Sequence, residues 1–443
     1  MNYDLTKGNI VGKLWKFSLP LMVGNLLQQL YNIVDTLIVG RVIGADALAA
    51  VGASYTLMVF VTSILLGLCM GCGVFFAIQY GRKDFERLNT GTFISFVLIG
   101  ILTLVLNGIL YLLLDNLIQI LQIPLELQRM TRSYLWCIFM GITATYVYNF
   151  FANLLRAVGN SVVPLIFLGI SAVLNIVLDI LFVYSFQWGI QGAAIATVLS
   201  QYLSAIGITA YYYVNFPELR VKRAHCRWDG EIVKELANLS VLTSVQQSIM
   251  NFGILMVQGL VNSFGTVVMA AFAAAVKIDS LAYMPVQDFG NAFSTFVAQN
   301  HGAGEMGRIR KGMKQSVICV FLFCLVISTV VCVFARPLLG IFFQQSNEAM
   351  ISVGVQYLRI EAVFYFGIGL LFLLYGFYRA VNRPGMSVVL TILSLGTRVL
   401  LAYTLAAIPQ IGVTGIWISI PIGWFLADMV GVVRMRYLWK QDT

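Results

Sequence analysis

The stretch that decides the fold is LLRAVGN, residues 154–160, because it returns as FYRAVNR at 377–383, 223 positions further on. At the same offset GIQGAAIATVLS (189–200) meets GVTGIWISIPIG (412–423), which aligns Gly189 with Gly412 and Gly192 with Gly415. Earlier in each half Phe75, Ala77 and Gly81 match Phe296, Ala298 and Gly302 at an offset of 221, so a small insertion lies between. The common offset makes the chain an internal duplication. Its longest polar interruption, NFPELRVKRAHCRWDGEIVKEL (215–236), stands close to the middle.

Of the 443 residues, 59% are hydrophobic and 11% are charged. Mean hydropathy is +0.86. Soluble domains carry roughly 25% charged residues, and so few charges cannot cover the surface of a chain this long. The sequence therefore predicts an integral membrane protein. A spanning helix needs about 20 mostly apolar residues, and breaking the chain at charges, Gly and Pro gives twelve. They lie near 13–39, 50–80, 91–114, 128–155, 161–185 and 190–214, then near 232–262, 267–300, 314–335, 350–381, 385–407 and 412–438. The predicted fold is all-α, with twelve transmembrane helices in two six-helix bundles. Residues 1–214 form an amino-terminal lobe, 215–231 a cytoplasmic loop and 232–443 a carboxy-terminal lobe. Six spans return the chain to its starting side, so the halves are parallel repeats. Such repeats are related by a pseudo-two-fold axis along the membrane normal, with a substrate cavity between them.

The net charge of +9 is topological. Twenty-one of the 28 Lys and Arg residues fall in one set of loops and tails, five fall on the other side, and Lys277 and Arg398 lie within spans. Arg156 and Arg379 are counted among the loop residues. This asymmetry predicts that both termini face the cytoplasm of a bacterial inner membrane, and it implies no nucleic-acid partner. The amino terminus leads straight into the first span, which predicts no cleavable signal peptide. Six of the seven cysteines lie in spans and Cys226 lies in the polar loop. The pair in CMGC (69–72) has redox spacing, but an apolar helix gives it the packing role usual for buried Cys. His225 and His301 fall in loops, and no nucleophile–base pair, phosphate-cradling loop or metal motif is present. The sequence predicts neither an enzyme nor a cofactor.

Ionisable residues at membrane depth cost about 2.5–3.5 kcal/mol each and mark function by default. In the first span Asn25, Gln28, Asn32 and Asp35 are spaced 3, 4 and 3, a single stripe on one helix face. Upstream, Pro20 removes a backbone hydrogen bond and permits a bend. Ser171, Asn175 and Asp179 repeat the stripe in the fifth span, and Thr197, Gln201 and Ser204 share a face in the sixth. Two carboxylates, an amide oxygen and a hydroxyl suit Na⁺, or a proton shared between acids. The second half does not copy the set. Asn175 maps to Arg398, Asp179 to Ala402, Thr197 to Ile420, and Asp35 near Met256 or Val257. Lys277 and Asp288 lie eleven apart on one helix face, with Asp279 roughly opposite. Lys277 with Asp288, or Arg398 with an acid, is either a buried pair that fixes packing or a substrate-facing group. Tyr134, Tyr146 and Tyr148 of the fourth span are either membrane anchors or, with the methionines, a lining for flat, apolar, cationic compounds.

At this point the sequence resembles the multidrug and toxic compound extrusion (MATE) family. The resemblance rests on FSLPLMVGNLLQQLYNIVDTLIVGRVIGADALAAVG (17–52), LRAVGNS (155–161), AFAAAVKIDSLAYMPVQDFGNAFSTFVAQNHGAGE (271–305) and YRAVNRPG (378–385). It implies two six-helix lobes that export drug-like small molecules in exchange for H⁺ or Na⁺, as a monomer in the lipid bilayer. In DinF-like members the first-lobe cation site is an Asp of the first helix with an Asn, an Asp four later and a Thr eighteen beyond. Asp35, Asn175, Asp179 and Thr197 match that spacing, with Tyr134 and Pro20 at the supporting positions and Gln28 and Asn32 on the same stripe as Asp35. NorM-like members carry second-lobe carboxylates near Ser248 and Ile368 of this chain, which departs from that pattern. The alternative function is a flippase for lipid-linked precursors of the wider superfamily, whose central cavity is more basic. A passive channel would not need paired buried acids on bending helices.

Overall fold

The structure is a computed structural model that describes residues 4–120, 123–343 and 348–441, with all side chains among them but those at 56, 254 and 255. Every regular element among the described residues is helical, and none is a strand. The first half supplies α1 (Ile10–Ile38), α2 (Ala45–Arg82), α3 (Phe85–Leu112), the short α4 (Leu114–Ile120), α5 (Leu125–Met140), α6 (Ile142–Ala157), α7 (Val162–Asp179) and α8 (Gly189–Asn215). The second supplies α9 (Gly230–Asn262), α10 (Thr266–Gly302), α11 (Met306–Gly340), α12 (Glu348–Val363), α13 (Tyr365–Ala380), α14 (Pro384–Ala406) and α15 (Val413–Gln441). Ten stretches are long and apolar enough to cross a membrane, among them α5 and α6 taken together as Leu125–Ala157. An eleventh is the pair α12 and α13, bent by 52° where they join. The twelfth is α1, whose 29 residues are long enough but whose polar stripe dilutes its hydropathy. The protein is a multi-pass membrane protein with the twelve helical spans that the sequence predicts.

The duplication is written into the backbone. Positive φ occurs at Gly44 and Gly265, and at Lys83 and Gly304, both pairs 221 apart. It recurs at Gly159 and Asn382, and at Gly189 and Gly412, both 223 apart. LLRAVGN and FYRAVNR each close a helix with the same left-handed turn. Gly159 N donates to Arg156 O at 2.9 Å and Asn160 N to Leu155 O at 2.9 Å, while Asn382 N donates to Arg379 O at 3.2 Å and Arg383 N to Tyr378 O at 2.9 Å. Gly and Asn are the residues that take this conformation at low cost, and the turn satisfies the helix's last carbonyls. Side-chain packing repeats as well. A Cβ on Gly91 would lie 2.2 Å from the Phe75 ring, and one on Gly312 would lie 2.4 Å from the Phe296 ring. The aromatic residues that enforce those glycines are themselves 221 apart.

The chain packs as two compact units, Met1–Leu5 with Lys16–Ser244, and Thr6–Trp15 with Val245–Thr443. The division passes through α9, whereas the sequence divides the lobes at the loop 215–231. Two glycines of α2 account for the difference. A Cβ on Gly71 would fall 2.4 Å from Ser240 Cα, and one on Gly67 would fall 2.4 Å from Ser244 Cα. Backbone thus meets backbone, and Ser244 Oγ donates to Ile64 O at 3.0 Å across the contact. Cys72 Sγ lies 3.1 Å from Ser240 Oγ, and an Arg87–Glu235 ion pair at 2.9 Å ties down the start of α9. CMGC is therefore a packing motif, and both of its thiols are buried and free.

Candidate functional site

Within the first unit, α1, α2, α5, α6, α7 and α8 enclose a cavity of about 410 Å³. The stripe on α1 faces it as the spacing predicts, with Pro20, Asn25, Gln28, Asn32 and Asp35 all on its wall. Ser171 reaches it from α7, and Thr197, Gln201 and Ser204 reach it from α8. Helix α1 runs unbroken through Pro20, whose missing N–H leaves a carbonyl one turn earlier without its helical donor. Four residues beyond Asp35 the helix widens into a π-helical turn, Val39–Ile43. A second π-helical turn, Ile180–Ser185, begins directly after Asp179 and touches the first. Such turns cluster at functional sites. Here they pack beside the core of Val39, Ala47, Ala50, Tyr134, Val183 and Ala193.

Asn175 and Asp179 lie behind the cavity wall, fully buried. Asn175 Nδ2 donates to Thr197 Oγ1 at 3.2 Å, and that hydroxyl donates to Ala193 O at 3.1 Å. Buried Tyr134 stands beside both carboxylates. Asp35 and Asp179 come within hydrogen-bonding reach of each other. Yet Asp35 Oδ1, both oxygens of Asp179 and Asn175 Oδ1 have no protein donor. A bond between two carboxyls forms only when one holds a proton, so these observations describe one arrangement. Neither acid is in any of the ion pairs found among the described residues. Four oxygens of these three neighbouring side chains are therefore left without a protein donor or an ion-pair partner, and buried oxygens of this kind are normally satisfied. The set can hold a proton or a hard monovalent cation. No group of three or more His, Cys, Asp or Glu side chains suited to a metal occurs among the described residues.

The cavity also holds groups that sequence reasoning placed elsewhere. Arg156, assigned to a loop, lies in the last turn of α6 and lines the cavity. The assignment failed because hydropathy sends any charge near a span end to the loop, whereas the helix runs to Ala157. Of the three tyrosines, Tyr134 and Tyr148 line the cavity. Tyr146 is instead buried, donating to Phe96 O at 2.6 Å.

The second-lobe candidates separate. Lys277 is exposed and Asp288 is buried, with no ion pair between them. They do share a helix face, but eleven residues rise roughly 16 Å along the axis, too far for direct pairing. Arg398 lies instead beside Asp279 and Glu361, both buried. Tyr357 Oη donates to Asp279 Oδ2 at 3.3 Å, and Tyr365 is in the same group. Sequence reasoning did not single out Glu361 and so missed this cluster. The repeat offset was the signal that could have found it, since Tyr357 follows Tyr134 by 223 and Arg398 follows Asn175 by 223.

A duplicated bundle of membrane-spanning helices with unanswered acids beside a cavity has the make-up of a transport protein. The chain belongs to the MatE family of transporters, whose family model matches residues 20–181 and again 241–404. The two matches begin 221 residues apart and end 223 apart, the offsets of the repeat. Over 447 residues the chain is 30% identical to "Probable multidrug resistance protein YpnP" of Bacillus subtilis, covering 99% of this chain and 98% of that one. "Multidrug export protein MepA" of Staphylococcus aureus is 23% identical, with 100% and 97% covered. Among solved structures, one described as MATE in the bent conformation superposes with a TM-score of 0.92 at 22% identity, covering 100% of this chain and 99% of that one.

Proposed function

We propose that this protein is a secondary active exporter of apolar and cationic drug-like compounds, exchanging them for H⁺ or Na⁺ by alternating access. The observation that carries the reading is the first-unit cavity. It is of a size that suits a drug-sized ligand. Aromatic faces and amides line it, with Tyr31, Tyr55, Tyr148, Asn32 and Asn149 among them, and such faces favour organic cations. On one wall stands Asp35, within reach of Asp179 and close to Asn175, Thr197 and Tyr134. A coupling ion neutralises these acids, and an outgoing cation competes with it for the same field. The names of YpnP and MepA, which refer to drug resistance and drug export, support the same reading.

Helix α1 connects the two events. It carries Asp35, the bend-permitting Pro20 and the π-helical turn, so occupancy at the acids alters a helix that walls the cavity. The protein acts as a monomer in the cell membrane with both termini in the cytoplasm, and it needs no organic cofactor. Labelling of Cys226 by a membrane-impermeant thiol reagent outside intact cells would reverse that orientation. The functional test is drug movement in proteoliposomes under separately imposed Na⁺ and H⁺ gradients. We predict uphill drug movement under one gradient or both. Movement that only follows the drug's own gradient would contradict exchange.

A further inference from the structure

We propose that the second unit holds a small-anion site, sized for chloride, centred on Arg379. This arginine occupies the RAV motif that closes the fourth span of each half. Sequence reasoning put it in a loop. It lies in the last turn of α13 instead, and only 4% of it is exposed. A guanidinium carries five N–H donors and keeps its charge in proteins. The hydrogen bond made by Arg379 runs from Nη2 to the neutral Asn291 Oδ1 at 3.3 Å, and its Nε has no partner. No carboxylate is paired with it among the described residues. A buried charge without a counter-charge is among the costliest features a fold can keep.

The space beside Arg379 indicates what supplies that counter-charge. A pocket of about 20 Å³ opens there, lined by Gln246, Gln247, Gln287, Asn291 and Tyr375 as well as Arg379. Its polar groups are amides, a phenol and the guanidinium, Met250 and Phe372 complete the wall, and no acid is among them. Asp288, next to Gln287 in sequence, does not line it. Gln246 is 1% exposed and has an orphaned amide oxygen. Rotating that amide end for end presents its N–H₂ instead. The volume just exceeds what one water requires, so it admits a single atomic anion but no phosphate or drug. Water would satisfy donors without balancing the charge, whereas a halide does both. The geometry is fixed by glycines: a Cβ on Gly376 would fall 2.7 Å from Gly290 O, so α10 and α13 meet backbone to backbone and hold Asn291 against Arg379.

The test is thermal melting of the purified full-length protein in chloride against gluconate at equal ionic strength, since a ligand that binds only the folded state raises its melting temperature. The wild type should melt several degrees higher in chloride. Bromide should replace chloride and give an anomalous-scattering peak beside Arg379 in crystals. Arg379→Gln should lose the chloride shift. Should that variant not fold, Asn291→Asp decides, because it places a carboxylate where Arg379 already bonds. Asn291→Asp should melt in gluconate as high as the wild type does in chloride, with no further halide shift. A wild type indifferent to halide, an Asn291→Asp protein that keeps the full shift, or a bromide-free pocket would each overturn the site.

Discussion

The two units place a buried polar cluster at the same point of the repeat and fill it differently. In the first, Asp35 and Asp179 meet Asn175, Thr197 and Tyr134. In the second, Asp279 and Glu361 meet Arg398, Tyr357 and Tyr365. Tyr134 and Tyr357 are counterparts, and so are Asn175 and Arg398. One position thus carries the difference. Where the first unit has a neutral amide, the second has a guanidinium beside its acids. No ion pair joins them, however, and both Glu361 oxygens and Asp279 Oδ1 also lack a protein donor. Among the described residues no basic group is paired with Asp35 or Asp179, and the exchange proposed above supplies their counter-charge from outside. On the reading proposed above, the duplicated scaffold leaves the first cluster to an exchangeable cation and sets a fixed one beside the second.

Four substitutions test that contrast. Arg398→Met has the largest expected effect, because it strands two buried acids, and leaving a buried charge without its partner costs about 3–5 kcal/mol. We predict a sharply lower melting temperature, with most of the loss recovered when Asp279→Asn and Glu361→Gln are added. A single variant as stable as the wild type would show that Arg398 is not the internal counter-ion. Next, Asn175→Arg copies the second unit's solution into the first. It should fold, since it supplies the missing cation, and gradient-driven efflux should fall to the passive background. Retained efflux would mean that the acids need no exchangeable cation. The smallest effect belongs to Asn175→Ala and Thr197→Ala, each of which removes a neutral oxygen. A lost neutral hydrogen bond is worth about 0.5–1.5 kcal/mol, so the coupling-ion concentration needed for half-maximal efflux should rise by up to roughly tenfold.

Much of this was legible in the sequence, and the limits have physical causes. The duplication could be read because left-handed turns favour Gly or Asn, so Gly159 and Asn382 mark the same bend in either half. The α1 stripe could be read because spacings of 3 and 4 define a helix face whatever lies opposite. What lies opposite could not be read. That α9 joins the first unit as far as Ser244 depends on Gly67 and Gly71 of another helix. That Arg398 lies beside Asp279 and Glu361 depends on how α10, α12 and α14 pack. Lys277 and Asp288 show the complementary error, because a shared face carries no information about distance along the axis. Arg156 and Arg379 were misplaced because a charge at a span end reads as loop even when the helix encloses it.

The central claim is that Asp35 and Asp179 carry the exchangeable charge. One charge moving through the membrane potential supplies about 2.3 kcal/mol per 100 mV, enough for roughly fortyfold accumulation. The most direct measurement is drug efflux from proteoliposomes containing the Asp35→Asn, Asp179→Asn double variant, under imposed H⁺ and Na⁺ gradients, alongside equilibrium drug binding to the same protein. Asparagine keeps the size and hydrogen-bonding capacity of each side chain but cannot titrate or supply a full charge. We predict a folded protein that still binds drug and shows no gradient-driven efflux. Undiminished efflux under either gradient would contradict the site and move the coupling charge to the second unit.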